Sequence, residues 1–405
     1  MSEAVRDNSG AKLGCRIALA LEEQFIAQGW PVGNFAGSEE ALSHRFGVSR
    51  RIVREATRVL TMRGIVRLKR GVTLGLEITP PDIDLIVDIM RGYAFLNDVT
   101  EAHRTEALTF LERVDARVSG VEEVRSALDF LLQFLREDLT PGAPPLGVGR
   151  DRLRKARAGQ IVFNIIQEFF FREFEPGRRI GSEEDLSLQF NADRSITRQA
   201  IRLLESSGLV TSMPGRGNGI IIQRPPSGPV CRLICCLFAS RQLSVAGTFE
   251  LFHAMSVEAV SLAATKANAE DVQRLQRELH MSRTPEKFSD LFSTEDAQFE
   301  AIRNPLIDLF IRSIRGYVAL TINESGKKIP QDVAECFANE TRRVYDAIIR
   351  HAPEAAAQAH DAKFCAMRDL ERSHNPTLAD MLYLHGARTA AHATHQDAPM
   401  QAAPA

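Results

Sequence analysis

Two pairs of arginines stand four residues apart, Arg50 with Arg54 and Arg194 with Arg198. On a helix that spacing puts both guanidinium groups on one face. A guanidinium holds its N–H donors in a rigid planar fork, which matches guanine O6 and N7 in the major groove and the oxygens of a phosphate. The flanking residues make two similar sets, Ser49-Arg50-Arg51-Ile52-Val53-Arg54 and Asp193-Arg194-Ser195-Ile196-Thr197-Arg198. Ser49, Arg50, Arg51 and Arg54 are the expected contacts of the first set, and Arg194, Ser195, Thr197 and Arg198 those of the second. Downstream of each set, Arg70-Gly71 and Gly215-Arg216 fall at glycine-bearing turns, where an arginine would reach a minor groove or a phosphate.

Other chemistry is poorly supplied. Gly215-Arg216-Gly217-Asn218-Gly219 precedes a strand-like Ile220-Ile221-Ile222, and a phosphate-cradling loop needs a helix N-terminus there instead. There is no nucleophile elbow, P-loop, His-Glu-x-x-His or Cys-x-x-Cys pair, so neither an enzyme nor a cofactor is expected. Cys231, Cys235 and Cys236 cluster among Leu, Ile and Phe, which reads as buried thiols in an apolar element.

The arginine sets belong to an internal repeat. Gly37-Ser38-Glu39-Glu40-Ala41-Leu42-Ser43 recurs as Gly181-Ser182-Glu183-Glu184-Asp185-Leu186-Ser187, 144 residues later. The same offset carries Phe46 onto Phe190, Arg50 onto Arg194, Arg54 onto Arg198, Leu60 onto Leu204, Gly64 onto Gly208 and Gly71 onto Gly215, without a gap.

Each copy parses alike. Ile17, Leu21 and Phe25 predict an amphipathic helix. Ser38 is an N-cap for a short second helix, with Glu39 and Glu40 in its first turn, where the helix dipole favours carboxylates. Ser49 is expected to cap a third helix that turns Val53, Ala56 and Leu60 inward and ends at Gly64. Residues 65–68 and 74–78 then read as a hairpin. In the second copy Ile161, Ile165, Ile166 and Phe169 mark the first helix, Ser182 caps the second, and Asp193 or Ser195 caps the third.

The fold class is therefore mainly α with small β-hairpin wings: two winged helix-turn-helix domains plus an all-helical C-terminal effector-like domain. The domains are 11–79, winged helix-turn-helix; 80–140, a truncated helical segment; 141–150, a linker; 151–226, winged helix-turn-helix; 227–376, a helical effector or oligomerisation domain; and 377–405, a disordered tail. Helices are expected over 248–266, 269–281, 285–301, 304–323, 330–350 and 353–372.

Net charge over the 405 residues is −2, but it is segregated. Residues 11–79 hold 11 basic against 6 acidic groups and residues 150–226 hold 13 against 9, whereas residues 80–149 hold 6 against 13. Two separate basic modules suit a polyanion. No run of 18 uncharged apolar residues exists and the first residues lack an apolar signal core. A cytoplasmic protein without a membrane partner is expected.

The ordered motifs now carry a resemblance. Pro-Gly, Ser-Glu-x-x-Leu, the run Val48-Ser49-Arg50-Arg51-Ile52-Val53-Arg54-Glu55-Ala56, Leu-x-x-x-Gly-Ile/Leu-Val and a glycine wing resemble the GntR family of bacterial transcription regulators, over roughly 13–78 and 156–224. The resemblance implies DNA contacts at Arg50, Arg54, Arg194, Arg198, Arg216 and the wing residues. Some members carry an arginine after the Ser-Glu pair; Glu40 and Glu184 stand there instead.

Residues 249–372 are similar to the helical effector domain of the FadR-type subfamily, through Phe249-Glu250-Leu251-Phe252, Asp296-Ala297-Gln298-Phe299, Asn304-Pro305-Leu306 and Asp346-Ala347-Ile348. Many such domains hold a divalent metal on one Asp and three His. Here Asp296 keeps the first place, while Glu300, Thr341 and Lys363 fall where the imidazoles would be. Lysine and threonine do not replace imidazole at such a site, so no metal is expected. Asp296, Glu300, Arg303, Arg342 and Lys363 are the candidate ligand residues, for a small anionic effector.

The function expected is a sequence-specific DNA-binding regulator, a repressor whose two readers take related operator half-sites about one duplex turn apart. A homodimer is the expected assembly, with double-stranded DNA as partner. The alternatives are a nucleoid-type or partner-binding DNA protein without strong sequence choice, and a metabolite-binding protein with degenerate readers.

Overall fold

The computed structural model describes residues 13–69, 75–139, 157–171, 174–213, 219–281, 285–287, 290–291, 294–322 and 327–383. The linker 141–150 and the stretch 384–405 lie outside the described residues.

The chain opens with α1 (Leu13–Ala27), which buries Ile17, Leu21 and Phe25 on one face. In α2 (Glu39–Phe46) the Ser38 hydroxyl accepts the Ala41 N–H at 3.1 Å, and Gly47, left-handed at φ 65°, ends the helix. The next helix, α3 (Arg50–Met62), turns Val53, Ala56, Val59 and Leu60 inward. Strands β1 (Val66–Lys69) and β2 (Gly75–Ile78) then pair antiparallel, Val66 opposite Ile78. Three helices follow: α4 (Ile83–Leu96), α5 (Glu101–Arg117) and α6 (Arg125–Gln133).

The order then repeats. Helix α7 (Arg157–Ile166) is followed by β3 (Arg179–Gly181), α8 (Glu183–Gln189), α9 (Arg194–Ser206), β4 (Val210–Ser212), β5 (Ile220–Ile222), α10 (Ser227–Ser240), α11 (Val245–Lys266) and α12 (Ala269–Met281). Here the sheet has three strands, in the order β3-β5-β4. Its first-half equivalent of β3 is a single bridge, Phe35 to Glu77.

Among the described residues five helices of the first half begin 144 residues before a counterpart: Glu39 and Glu183, Arg50 and Arg194, Ile83 and Ser227, Glu101 and Val245, Arg125 and Ala269. Irregular backbone repeats as well. Gly37 and Gly181 take φ of 127° and 125°, a region closed to most side chains. Asp98 and Gln242, neither a glycine, both take φ of 52° just after α4 and α10. The repeat therefore runs past the hairpins, and residues 83–133 are the counterpart of the first three helices of the C-terminal region.

The halves pack through these counterparts. Helix α4 lies against α10 and α5 against α11. Helices α3 and α9 meet where Glu55 and Arg202 pair at 2.6 Å, with Val59 and its counterpart Leu203 lining the same crevice. Like-on-like contact of this kind is how a two-fold interface is built. One hydrophobic core runs from Ile17 in α1 through both halves to Ala356.

Beyond α12 come α13 (Asp296–Glu300), α14 (Pro305–Ile322), α15 (Gln331–Ile349), α16 (Pro353–His374) and α17 (Pro376–Leu382). Two expectations fail here. The helix drawn over 285–301 does not begin at 285: Pro285 opens a turn in which the Asp290 carboxylate accepts the N–H groups of Glu286 and Lys287, and helical residues are described only from Asp290 onward, at 290–291, 294 and 296–300. The tail drawn from 377 begins as a packed helix, capped by Asn375, that buries Leu378, Ala379 and Leu382.

Cys231, Cys235 and Cys236 sit buried on α10. The Cys231 thiol points to the Leu309 carbonyl at 3.7 Å and the Cys235 thiol to that of Ser313 at 3.4 Å, fastening α10 to α14. Among the described residues no helix is long and apolar enough to cross a membrane.

Candidate nucleic-acid interface and helical cavity

Each arginine-bearing helix follows a short helix whose first turn carries two glutamates. In the first half Arg50 Nη2 lies 2.5 Å from Glu40 Oε1, and Arg54 Nε donates to Glu39 at 2.8 Å. In the second half Arg194 pairs with Glu184, and Arg198 reaches Glu183 at 2.6 Å. The hydrogen bond that Arg198 donates to Glu183 holds its guanidinium above the ordinary pKa. All four guanidinium groups are more than half exposed. Ion pairs in water are weak, so a phosphate or a base edge competes readily for these donors.

Ser49, Arg50, Arg51 and Arg54 all lie exposed on one end of α3, and Arg194, Ser195 and Arg198 on the matching end of α9. Thr197 does not join them. It is fully buried, its hydroxyl on the Asp193 carbonyl at 3.2 Å, because it occupies the inward position that Val53 fills in the first half. Ser49 and Asp193 stand at the N-cap positions, yet neither side chain makes the expected cap hydrogen bond. Extended backbone at both residues starts the helices, and the first-turn amides keep their anion-accepting capacity. Arg70, Gly71, Gly215 and Arg216 lie outside the described residues.

The part played by the glutamates was not read from the residue pattern. The signal was present: both carboxylates recur at the 144-residue offset together with the arginines.

The five candidate ligand residues do not converge. Asp296 faces Arg315 at 2.9 Å and Arg312 at 3.4 Å. Glu300 pairs with Arg274. Arg303 pairs with Asp271 and donates to the Lys266 carbonyl at 2.6 Å. Arg342 is exposed on α15, beside Asn339. Only Lys363 reaches an internal cavity, of about 80 Å³, between α11, α15, α16 and α17. There its Nζ donates to Glu295 Oε1 and to Thr341 Oγ1, each at 2.7 Å. Burial opposes ionisation of Glu295, but the Lys363 ammonium and His360 outweigh it and hold the carboxyl at about 2. Glu295, His253 and His360, which also line the cavity, were not anticipated.

Comparison with known proteins gives matches to two families, over two separate stretches of the chain. Residues 158–220 match the family model for bacterial regulatory proteins of the gntR family, and residues 248–363 match the FCD domain. The chain is similar to a Bacillus subtilis (strain 168) protein named as an uncharacterized HTH-type transcriptional regulator, YcbG, with 23% identity over 211 residues, 50% of this chain and 84% of that protein. It is similar at 23% identity over 208 residues to the HTH-type transcriptional regulator LutR of the same organism, covering 49% of this chain and 92% of LutR. Among solved structures, Streptococcus agalactiae GntR aligns with 18% identity over 53% of this chain and 99% of its own, at a TM-score of 0.37. The chain thus carries the DNA-binding helix-turn-helix domain and the FCD domain of gntR-type transcription regulators.

Proposed function

We propose, from a chain that carries a gntR-type helix-turn-helix domain and an FCD domain, that the protein is a sequence-specific repressor in which one polypeptide supplies both DNA readers of an operator. Residues 13–78 are the second reader. The observation that carries this reading is the like-on-like packing of α3 against α9, with Arg50/Arg54 and Arg194/Arg198 exposed on both.

A pair of readers normally needs two chains. Here the pairing surface is internal, so an operator of two half-sites needs one chain, and a homodimer would add a second pair. The readers differ on their exposed faces at Arg51 against Ser195. Their half-sites are accordingly related but unequal.

Half-sites about one duplex turn apart, roughly 34 Å, are the target this reading implies. The protein acts where the DNA is, in the cytoplasm, and the FCD helices carry the effector response.

The test is a footprint on selected DNA combined with the mass of the complex in solution. One 45.0 kDa chain per footprint of two unequal half-sites is expected. Two chains per footprint, each protecting one half-site, would refute the internal pair. Even protection of all sequences would favour a nucleoid-type role.

A further inference from the structure

The cavity around Lys363 lies where related FCD domains hold a metal, and its donors do not suit one. Among the described residues no group of three His, Cys, Asp or Glu converges as a metal site. The aspartate expected to ligate, Asp296, faces two arginines outside the cavity. What stands inside is an ammonium. Lys363 is 3% exposed, bonded to Glu295 and Thr341, and its Nζ lies 3.6 Å from the centre of the Phe337 ring. Carboxylate, hydroxyl and aromatic face are the partners of a fixed cation.

We infer that the Lys363 ammonium is this cavity's permanent cation, in place of a metal ion, and that the cavity takes an uncharged, largely apolar small molecule anchored on His360. This rests on the reading of the FCD helices as the effector unit. It replaces the anionic effector expected from the residue types.

Charge decides the class. The positive charge of Lys363 is already matched by Glu295, and Glu371 adds a further carboxylate to the wall. An incoming carboxylate would have to displace Glu295 and leave that group buried without its partner, which is strongly unfavourable. The remaining wall is apolar: Phe249 stands 5.6 Å from Phe364 and 5.4 Å from Tyr383 between ring centres. Among the described lining residues His360 offers a polar atom to recruit: it is 5% exposed, its Nε2 approaches Glu295 only to 3.7 Å, and neither ring nitrogen makes a hydrogen bond. A buried imidazole held by so long a contact is under-satisfied, and a ligand hydroxyl or amide would complete it.

The experiment uses the full chain. Elemental analysis after purification should find divalent metal well below one equivalent, and neither chelator nor added Zn²⁺ should move the melting temperature. Benzyl alcohol and benzoate then serve as probes of similar size and opposite charge class, followed by ligand-observed NMR. Benzyl alcohol should bind saturably at millimolar concentration, at least about tenfold more tightly than benzoate, and His360→Ala should weaken benzyl alcohol binding without admitting benzoate. The double variant Thr341→His/Lys363→His should gain a Zn²⁺-dependent rise in melting temperature that the parent lacks.

A stoichiometric metal in the parent, tighter binding of benzoate, or no binding of benzyl alcohol would overturn the inference. A cavity that takes benzyl alcohol while DNA affinity stays unchanged would leave the inference standing and count against the effector reading alone.

Discussion

Arg50 and Glu40 are joined at 2.5 Å across the short connection between α2 and α3, and their counterparts Arg194 and Glu184 are joined in the same way. On the proposed reading each arginine-bearing helix carries its own carboxylate competitor for a phosphate or base edge, and that competitor would lower affinity for any polyanion and leave discrimination to contacts good enough to displace it.

Glu40→Gln together with Glu184→Gln should therefore tighten binding to mixed-sequence DNA by ~3–10-fold at low salt, with a smaller gain on the operator. Titration of both DNAs across a salt series checks this. An equal gain on both would mean that the carboxylates do not act on specificity.

Arg50→Ala should lose about 1–3 kcal/mol of discrimination at one or two positions of a single half-site, the scale of a bidentate base contact. Arg194→Ala should do the same in the other half-site. Competition with single-base operator variants separates the two patterns. A uniform loss across all variants would assign both arginines to phosphates.

The readers should also be coupled mechanically. Glu55 and Arg202 pair across α3 and α9 with side-chain exposures of 14% and 26%, so each shields the other from water. Removing either alone leaves a half-buried charge. A double-mutant cycle with Glu55→Ala and Arg202→Ala should give a coupling of about 1–2 kcal/mol in unfolding free energy. The double variant should also bind operators of altered half-site spacing better than the parent does. Additive effects would show that the helices touch without holding each other.

Much of this architecture was legible in the residue pattern, because the elements of the readers are punctuated locally. Ser38, Gly47 and Gly64 cap or end helices by their own backbone chemistry, and the apolar spacing of Ile17, Leu21 and Phe25 needs no distant partner. The helices expected over 269–281, 304–323, 330–350 and 353–372 lie within two residues of their bounds, whereas 285–301 and the stretch from 377 are misjudged. What stayed hidden depends on tertiary contact. Glu39 and Glu40 read as dipole-favoured first-turn residues, and nothing local says that Arg54 and Arg50 will meet them. Thr197 reads as a polar contact residue, yet it fills an inward position. Asp296 and Lys363 share a polar character in sequence, but Asp296 meets Arg315 while Lys363 meets Glu295 in the cavity.

Thiol chemistry should sort the six cysteines. Burial pushes the Cys231 thiol up to about 11 and raises Cys235 and Cys236 as well, whereas Cys365 is exposed. A thiol reagent at pH 8 should label Cys365 promptly, Cys15 and Cys336 slowly, and the three α10 cysteines only on unfolding. Prompt labelling of Cys235 would mean that α10 and α14 separate in the native state.

Acid should probe the Glu295–Lys363 pair. Burial alone would raise the Glu295 carboxyl, but Lys363 and His360 hold it at about 2, against 4.5 for an ordinary glutamate. A carboxyl whose pKa is depressed on folding contributes stability above its unfolded pKa and loses it as pH falls through its folded pKa. The contribution should thus be complete above pH 4.5, decline below it, and vanish near pH 2, with a total on the order of a few kcal/mol. Other carboxylates titrate in the same window, so the informative quantity is a difference. Unfolding free energy of the parent minus that of Glu295→Gln/Lys363→Met should fall steeply between pH 4.5 and 3. The double variant keeps the volume of both side chains and removes both charges, so it should survive at neutral pH better than Glu295→Gln alone, which strands a buried ammonium. A difference curve flat across that range would mean that folding does not depress the Glu295 carboxyl, and one rising as pH falls would mean that Glu295 is already neutral in the native protein.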